Sequence, residues 1–570
     1  MEQKLDSDVT DAIEDAEAQL PTESAILSDP NQDPRFIIQR KRLYTIVLSL
    51  CLCLFLSTLE STVIGTALVA ITNDLQGFNI SSWIVTSYLL TYTGFLTALA
   101  KLSDTFGRRN VMCLCIIIFI IFSIACGVAE TMLQLIVFRA FQGIGGGGMY
   151  TMAFVIIPEL VPPSKYAAYS GLIAGVAALS SLLGPIFGGI ISNRGNWEWI
   201  FLFNAPNGTV TLILFYFALP PAFPYNMEDA NAPVNLHLAQ KVRRIDYVGL
   251  LLILASSFLL VTAIQEGGIA YPWDSGVILS LLILSISCTA GLVCWGWSFT
   301  RRSTTAQEPV LPWTIVSDRY ALGLLLVCFF TGLGFITCVI ILPQHFQIVF
   351  QDSPARAGFR LLAMTLVVPL GSGAAGLALQ NLHTPALYVF LTGFAFIILG
   401  TGLSTVVKNV ADGFPTHEYG FQVTMGFGFG INLAAAVMAA PLAFRPQHLA
   451  VGMGTSNQFR VLGGSIGVAI CANILNDHLA NRLRGLLSPD QIRALLASAQ
   501  TLAFISPDLR QAVRDTFAES FVMQMQVILG LSCAGLLATL LMIERQPRYQ
   551  HYVFNRQNRG IGRYGMLLDR

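Results

Sequence analysis

Three ionisable side chains, Glu60, Arg139 and Arg460, lie inside long apolar stretches of the chain. A charged group inside a bilayer costs about 2.5–3.5 kcal/mol on insertion scales, so it must face a cavity, pair or become neutral. A buried carboxylic acid can bind and release a proton, whereas an arginine keeps its charge and acts electrostatically. We expect Glu60 to carry a proton and Arg139 to hold or sense the charge of a neighbouring acid. Hydration of either residue at a membrane surface is the alternative.

Polar residues near these charges extend the candidate sites. Gln142 follows Arg139 by three residues, so it can reach the same polar cluster. Arg460 lies about ten residues into its apolar stretch, too deep to reach a membrane surface easily. We predict that Arg460, Asn457 and Gln344 belong to a substrate path.

The composition excludes a water-soluble globular protein. Hydrophobic residues make up 54% of the 570 residues and charged residues 12%, with a mean hydropathy of +0.64, whereas soluble domains carry about 25% charged residues. The formal net charge of +0 predicts no nucleic-acid partner. The sequence has no G-x-x-x-x-G-K-[ST] run for ATP, and its G-x-G-x-x-G at 143–148 lies in an apolar stretch. We expect no enzyme activity, no cofactor and no metal site.

Fourteen apolar runs are long enough to cross a bilayer as helices, which takes about 20 residues. The tenth is the least regular, because Pro369, Gly371, Gly373 and Gly376 interrupt it. The sequence therefore predicts an all-α polytopic membrane protein. The runs cover residues 43–70, 82–103, 110–129, 132–157, 167–192, 201–220, 247–264, 275–299, 320–343, 357–379, 385–407, 419–441, 450–475 and 518–543.

Basic residues in the short loops orient the chain. With a cytoplasmic N-terminus, most of them fall on the cytoplasmic side, and the short outer loops hold only Arg194, Arg356, Arg360 and Lys408. We expect both termini in the cytoplasm and favour the plasma membrane, with a vacuolar membrane as the alternative. Asn79 begins a glycosylation sequon on an outer loop. A small helical cap is predicted in the outer loop 476–517, with helix starts at 488–490 and 506–508.

Glycine clusters repeat along the chain. Those at 143–148 and 184–189, in spans 4 and 5, return at 426–430 and 463–467, in spans 12 and 13. The offset of eight spans predicts two six-helix halves separated by two extra spans. The predicted parts are a disordered acidic tail at 1–42, an N-terminal half at 43–220, a loop at 221–246, two extra spans at 247–299, a loop at 300–319, a C-terminal half at 320–543 and a tail at 544–570.

A short loop dense in charge, 100–109, joins spans 2 and 3. It is either a basic anchor with a turn, or a conformational latch in which Asp104 pairs with an arginine or a helix N-terminus. The latch residues are Lys101, Asp104, Gly107, Arg108 and Arg109. The segment resembles the loop signature of the major facilitator superfamily and departs from it at Ala100, where glycine is usual.

Further segments resemble, in order, the signatures of the fourteen-span drug:proton antiporters of that superfamily, in the style of fungal members. Glu60 replaces the usual aspartate in the span-1 signature, and Ser180 a usual glycine in the span-5 signature. The segments are 59–68, 139–145, 171–189, 197–206 and 246–249.

The resemblance implies the major facilitator fold and proton-coupled export of small amphipathic molecules such as drugs, toxins or secondary metabolites. Protons, the cargo and the lipid bilayer are the implied partners of a monomer. Uptake of basic amino acids or iron chelates is the alternative, and it predicts more embedded acids than the spans contain.

Small residues in span 5 suit a hinge or a close helix contact. Glycines four residues apart allow close approach on one helical face, and a proline permits a bend. Ordinary packing without motion is the alternative. These residues are Gly171, Gly175, Gly184, Pro185, Gly188 and Gly189.

Overall fold

The computed structural model describes most of the chain as long helices. The described residues are 40–75, 82–161, 165–192, 196–220, 223, 245–268, 271–301, 309–352, 354–382, 384–406, 414–445, 448–483 and 507–544. The helices are α1 (Arg40–Asp74), α2 (Ser82–Phe106), α3 (Arg108–Gly127), α4 (Met132–Leu160), α5 (Tyr166–Ser192), α6 (Glu198–Leu202 and Asn204–Ala218), α7 (Tyr247–Glu266), α8 (Gly276–Arg301), α9 (Arg319–Val349), α10 (Pro354–Thr365 and Val368–Gly376), α11 (Ala386–Ser404), α12 (His417–Ala443), α13 (Leu449–Arg482) and α14 (Pro507–Thr539). A short helix, Trp313–Ser317, precedes α9, a π-helical turn, Leu377–Asn381, follows α10, and a 3-10 turn, Leu540–Met542, follows α14.

Thirteen helices in the described ranges are long and apolar enough to cross a membrane. The helix α5 occupies the predicted fifth span, and its 27 residues make about 40 Å of helix. Helices satisfy every backbone N–H and C=O within one segment, which a bilayer demands. The fold class predicted from the apolar runs is therefore confirmed.

Several predicted boundaries were wrong. The first helix already begins at Arg40, inside the predicted tail, and Arg356 and Arg360 lie in α10 rather than in a loop. The helix start predicted at 506–508 is the beginning of α14 rather than of a separate cap helix. Polar residues extend α13 past its predicted end, and they extend α14 before its predicted start. The other predicted cap helix, at 488–490, lies outside the described residues. The predicted irregularity of span 10 is real, since α10 breaks just before Pro369.

Glycines set matching helix contacts in the two halves. A Cβ on Gly143 or Gly147 of α4 would strike a backbone carbonyl of α2, and one on Gly145 would strike α3. In the same way, Gly426 and Gly430 of α12 face carbonyls of α10. Gly428 of α12 faces α11. The contacts of α4 with α2 and α3 therefore correspond to those of α12 with α10 and α11, eight spans further along the chain.

The two extra helices form a hairpin against the seam between the halves. Gln458 of α13 donates to Ser257 of α7 across 2.5 Å, and Phe258 of α7 packs 6.0 Å from Phe95 of α2, ring centre to ring centre. Asp246 caps α7 by accepting from the backbone N–H of Gly249 at 2.8 Å. The hairpin therefore contacts both α2 and α13, one helix from each half.

Candidate functional site

A buried ion pair joins α1 and α4. Nη1 of Arg139 lies 2.5 Å from Oε1 of Glu60, and each side chain is 1% exposed. The other carboxylate oxygen, Oε2, accepts from Nδ2 of Asn204 on α6 at 2.5 Å. Nε of Arg139 donates to the carbonyl of Ile84 on α2 at 3.2 Å. Four helices thus hold the pair away from solvent, and both Glu60 and Arg139 make charge-assisted hydrogen bonds.

Polar and aromatic groups form a second layer around Arg139. Nη1 of Arg139 also donates to Oε1 of Gln142 at 2.9 Å, and Nε2 of Gln142 donates to Ser123 at 2.7 Å. The guanidinium lies 4.2 Å from the ring centre of Tyr88, a cation–π contact. The hydroxyl of Tyr88 donates to the carbonyl of Ser57 at 3.0 Å.

The structure brings together the three residues predicted for proton coupling, Glu60, Arg139 and Gln142. Sequence reasoning missed Asn204 and Tyr88, which touch the pair directly. An amide inside the apolar run 201–220 is the sequence signal that could have singled out Asn204, and the structure shows this side chain to be fully buried. The arrangement links protonation to contacts between helices, because a neutral Glu60 would lose its charge-assisted bond to Arg139.

A second charged cluster lies where α2 meets α3, at the predicted cytoplasmic end of the bundle. The predicted loop at 100–109 is helical except at Gly107, because α2 continues to Phe106 and α3 begins at Arg108. Nη1 of Arg108 donates to Asp104 at 2.6 Å and to Ser103 at 2.8 Å. On its other side Arg108 binds both oxygens of Glu159, near the end of α4, at 2.8 and 3.0 Å. Asp104 thus pairs with an arginine, as the latch hypothesis requires, whereas Glu159 was missed. Gly107 has a φ of 92°, which strongly favours glycine.

The remaining latch residues lie beside this cluster. The Arg109 guanidinium stacks 4.0 Å from the ring centre of Tyr216 on α6, and Lys101 is buried. Ala100 is fully buried, and a Cβ added to Gly454 of α13 would meet its methyl group at 2.5 Å. The small side chain at position 100 therefore permits the close contact between α2 and α13.

The span-5 glycines serve two different surfaces. A Cβ on Gly171 would meet Ser372 of α10 at 3.1 Å, and one on Gly175 would meet Pro369 at 3.5 Å. Gly184 instead faces Thr62 of α1. The span-5 glycines therefore do not all lie on one helical face, since the 13 residues from Gly171 to Gly184 turn a helix by about 220°. The helix runs unbroken through Pro185, Gly188 and Gly189 to Ser192.

The predicted substrate path is only partly assembled. Arg460 and Asn457 are buried, 6% and 3% exposed, and Nη2 of Arg460 donates to the amide oxygen of Asn457. Gln344 is exposed on α9, so it does not share their environment. Asn79 lies outside the described residues.

A buried acid–base pair that the sequence did not predict lies in the C-terminal half. Nε2 of His345 is 3.9 Å from Oε1 of Glu418, and both side chains are nearly buried. The His345 ring stacks on Phe521 at 3.8 Å. Among the described residues, no group of three His, Cys, Asp or Glu side chains could hold a metal ion.

Known proteins resemble this chain over most of its length. The MFS-type transporter FPY5 of Fusarium mangiferae is 39% identical over 551 residues, which cover 94% of this chain and 92% of that protein. The efflux pump FUS6 of Gibberella fujikuroi is 28% identical over 529 residues, covering 91% and 92%. The multidrug transporter protein MdtP of Bacillus subtilis is 28% identical over 501 residues, covering 87% and 88%.

Solved structures share the fold at low sequence identity. A bacterial homologue of the human lysosomal transporter Spinster, inward-facing and unoccupied, superposes with a TM-score of 0.53 at 16% identity, covering 89% of this chain and 98% of its own. The proton:xylose symporter XylE gives 0.53 at 13% identity, covering 89% and 96%. The family model of the Major Facilitator Superfamily matches residues 50–468. The chain belongs to the Major Facilitator Superfamily and is a membrane transporter rather than an enzyme.

Proposed function

We propose that this transporter exports small amphipathic molecules in exchange for protons. The observation that carries the proposal is Glu60, a fully buried carboxylate whose two oxygens accept from Arg139 and Asn204. A proton on Glu60 would weaken both bonds, so proton binding would loosen α1 from α4 and α6. An intramembrane acid that changes helix contacts when it is protonated is a means of coupling transport to a proton gradient.

Contacts between the halves support alternating access. At the predicted cytoplasmic end, Thr97 of α2 donates to Gln458 of α13, and Gly171 of α5 packs against Ser372 of α10. These contacts hold the two halves together on that side, as an outward-facing state requires. The Arg108–Glu159 cluster lies at the same end. It would keep α2, α3 and α4 in contact with one another as the halves separate.

The direction of transport is inferred from the relatives. One is named an efflux pump and another a multidrug transporter, and export of drugs or secondary metabolites is the corresponding activity for this chain. We place the protein in the plasma membrane with both termini in the cytoplasm, because the basic residues favour that orientation. A glycan on Asn79, detected as a gel shift that Asn79→Gln removes, would confirm the outer side of the α1–α2 loop.

The test uses full-length protein in vesicles whose predicted cytoplasmic face points outward and whose lumen is acidic. Glu60→Gln keeps the size of the side chain and removes its ionisable group. It should abolish pH-gradient-driven accumulation of fluorescent amphipathic drugs in the lumen. Glu130→Gln is the matched control, since Glu130 is exposed between α3 and α4. Full pH-driven transport by Glu60→Gln would rule out the proposed role of Glu60.

A further inference from the structure

Arg460 is a buried cation that pairs with no carboxylate among the residues that the structure describes. Its guanidinium donates to the hydroxyl of Tyr150 at 3.2 Å and to the amide oxygen of Asn457, both neutral groups. In the part of the chain that the structure describes, no carboxylate lies within 4 Å of it, whereas Arg139 and Arg108 each pair with an acid. A buried charge without a counter-charge destabilises the protein, so its presence inside the membrane indicates a functional site.

Two hydrogen-bond donors at this place are also unused. Nε of Arg460 and Nδ2 of Asn457 are buried with no acceptor, and their side chains touch each other. An orphaned buried donor is destabilising. A positive charge flanked by free N–H donors is complementary to an oxygen anion such as a carboxylate, sulfonate or enolate.

Aromatic rings lie against the Arg460 guanidinium on the side of the N-terminal half. The guanidinium lies 4.4 Å from the ring centre of Phe154 on α4. The ring of Tyr150 lies 5.1 Å from that of Phe154 and 5.7 Å from that of Tyr92 on α2. Arg460 belongs to α13 of the other half, so a molecule bound here would touch both halves, as a transported molecule does.

We infer that Arg460 and Asn457 bind the anionic group of the cargo, which makes organic anions with an aromatic body the preferred substrates. This inference rests on the proposed export function. In the present conformation the Tyr150 hydroxyl occupies the place of the anion. Cargo binding therefore replaces the Arg460–Tyr150 bond that joins α13 to α4.

Two probes with the same ring and opposite fixed charges test the inference. They are naphthalene-1-sulfonate and (1-naphthyl)trimethylammonium, offered to vesicles of the full-length protein with an acidic lumen. The wild type should accumulate the sulfonate faster than the ammonium probe. Arg460→Gln should slow the sulfonate at least about tenfold while changing the ammonium rate less than about twofold, and Arg460→Lys should fall between. Tyr150→Phe removes the competing hydroxyl and should lower the KM for the sulfonate.

The control is Arg482→Gln, at the exposed end of the same helix. Equal slowing of both probes by Arg460→Gln would mean that Arg460 only joins the two halves, and this result would overturn the inference. A wild-type preference for the ammonium probe would also overturn it. Thermal unfolding of the purified protein separates this inference from the export proposal. Stabilisation by the sulfonate that Arg460→Gln abolishes supports the anion site even if a pH gradient drives no transport. No stabilisation by the sulfonate overturns the site, whatever the gradient does.

Discussion

Arg139 and Glu60 form a closed ion pair across two helices, with Nη1 and Oε1 2.5 Å apart and each side chain 1% exposed. Because neither partner reaches solvent, neither charge can be satisfied by water once the other is removed. The pair is therefore both a structural bond between α1 and α4 and the place where a proton would have the largest effect.

The pairing predicts a charge-dependent loss of stability. Arg139→Gln leaves the Glu60 carboxylate buried without its cation and should lower the free energy of unfolding by about 3–5 kcal/mol. The double variant Glu60→Gln/Arg139→Gln carries no buried charge there and should recover most of the loss. Unfolding of the purified proteins in detergent measures both values. A double variant no more stable than Arg139→Gln alone would contradict the account.

The α2–α3 cluster predicts a second, smaller effect. Glu159→Gln removes the charge that binds Arg108 in bidentate geometry. It should lower the stability by about 1.5–3 kcal/mol, the range for hydrogen bonds to charged groups. The transport rate should fall as well, if the cluster holds the N-terminal half in one shape. Glu130→Gln is the control in both measurements, and equal behaviour of the two variants would exclude a role for Glu159.

The glycine contacts predict matched losses in the two halves. Gly147→Ala would drive its methyl group against the Tyr92 carbonyl, and Gly430→Ala would do so against that of Val368. Each should destabilise the protein by about 1–3 kcal/mol, as overpacking does. Gly373→Ala and Gly420→Ala are controls, because a Cβ at either position meets nothing within 4 Å. Thermal unfolding of all four checks this, and equal midpoints would contradict the packing account.

The sequence predicted part of the site because charge inside an apolar run is conspicuous. Glu60 and Arg139 stand out for that reason, and Gln142 lies on the same helical face as Arg139. Asn204 is 144 residues from Glu60 along the chain. Periodicity along one helix does not tell which helices meet, so neither Asn204 nor Glu159 could be assigned to its partner.

The fold was predictable to a similar extent. Span lengths gave the helices, and Pro369 marked the break in α10. The ends of α13 and α14 were not predictable from hydropathy, because their polar turns continue past the apolar run. His478 and Arg482 of α13 contact Glu519 of α14, each at 3.1 Å, which joins these extensions. The exposure of Gln344 was not predictable, because the end of an apolar run does not tell which side of the helix faces the bundle.

Proton movement caused by the cargo tests the central claim most directly. A pH-sensitive dye in the lumen of reconstituted vesicles reports proton exit when whichever naphthalene probe the wild type transports is added outside. Wild-type protein should raise the lumenal pH as the probe enters. Glu60→Gln should exchange the probe across the membrane without any change in lumenal pH. A rise in lumenal pH with Glu60→Gln as fast as with wild type would contradict the claim that Glu60 carries the proton.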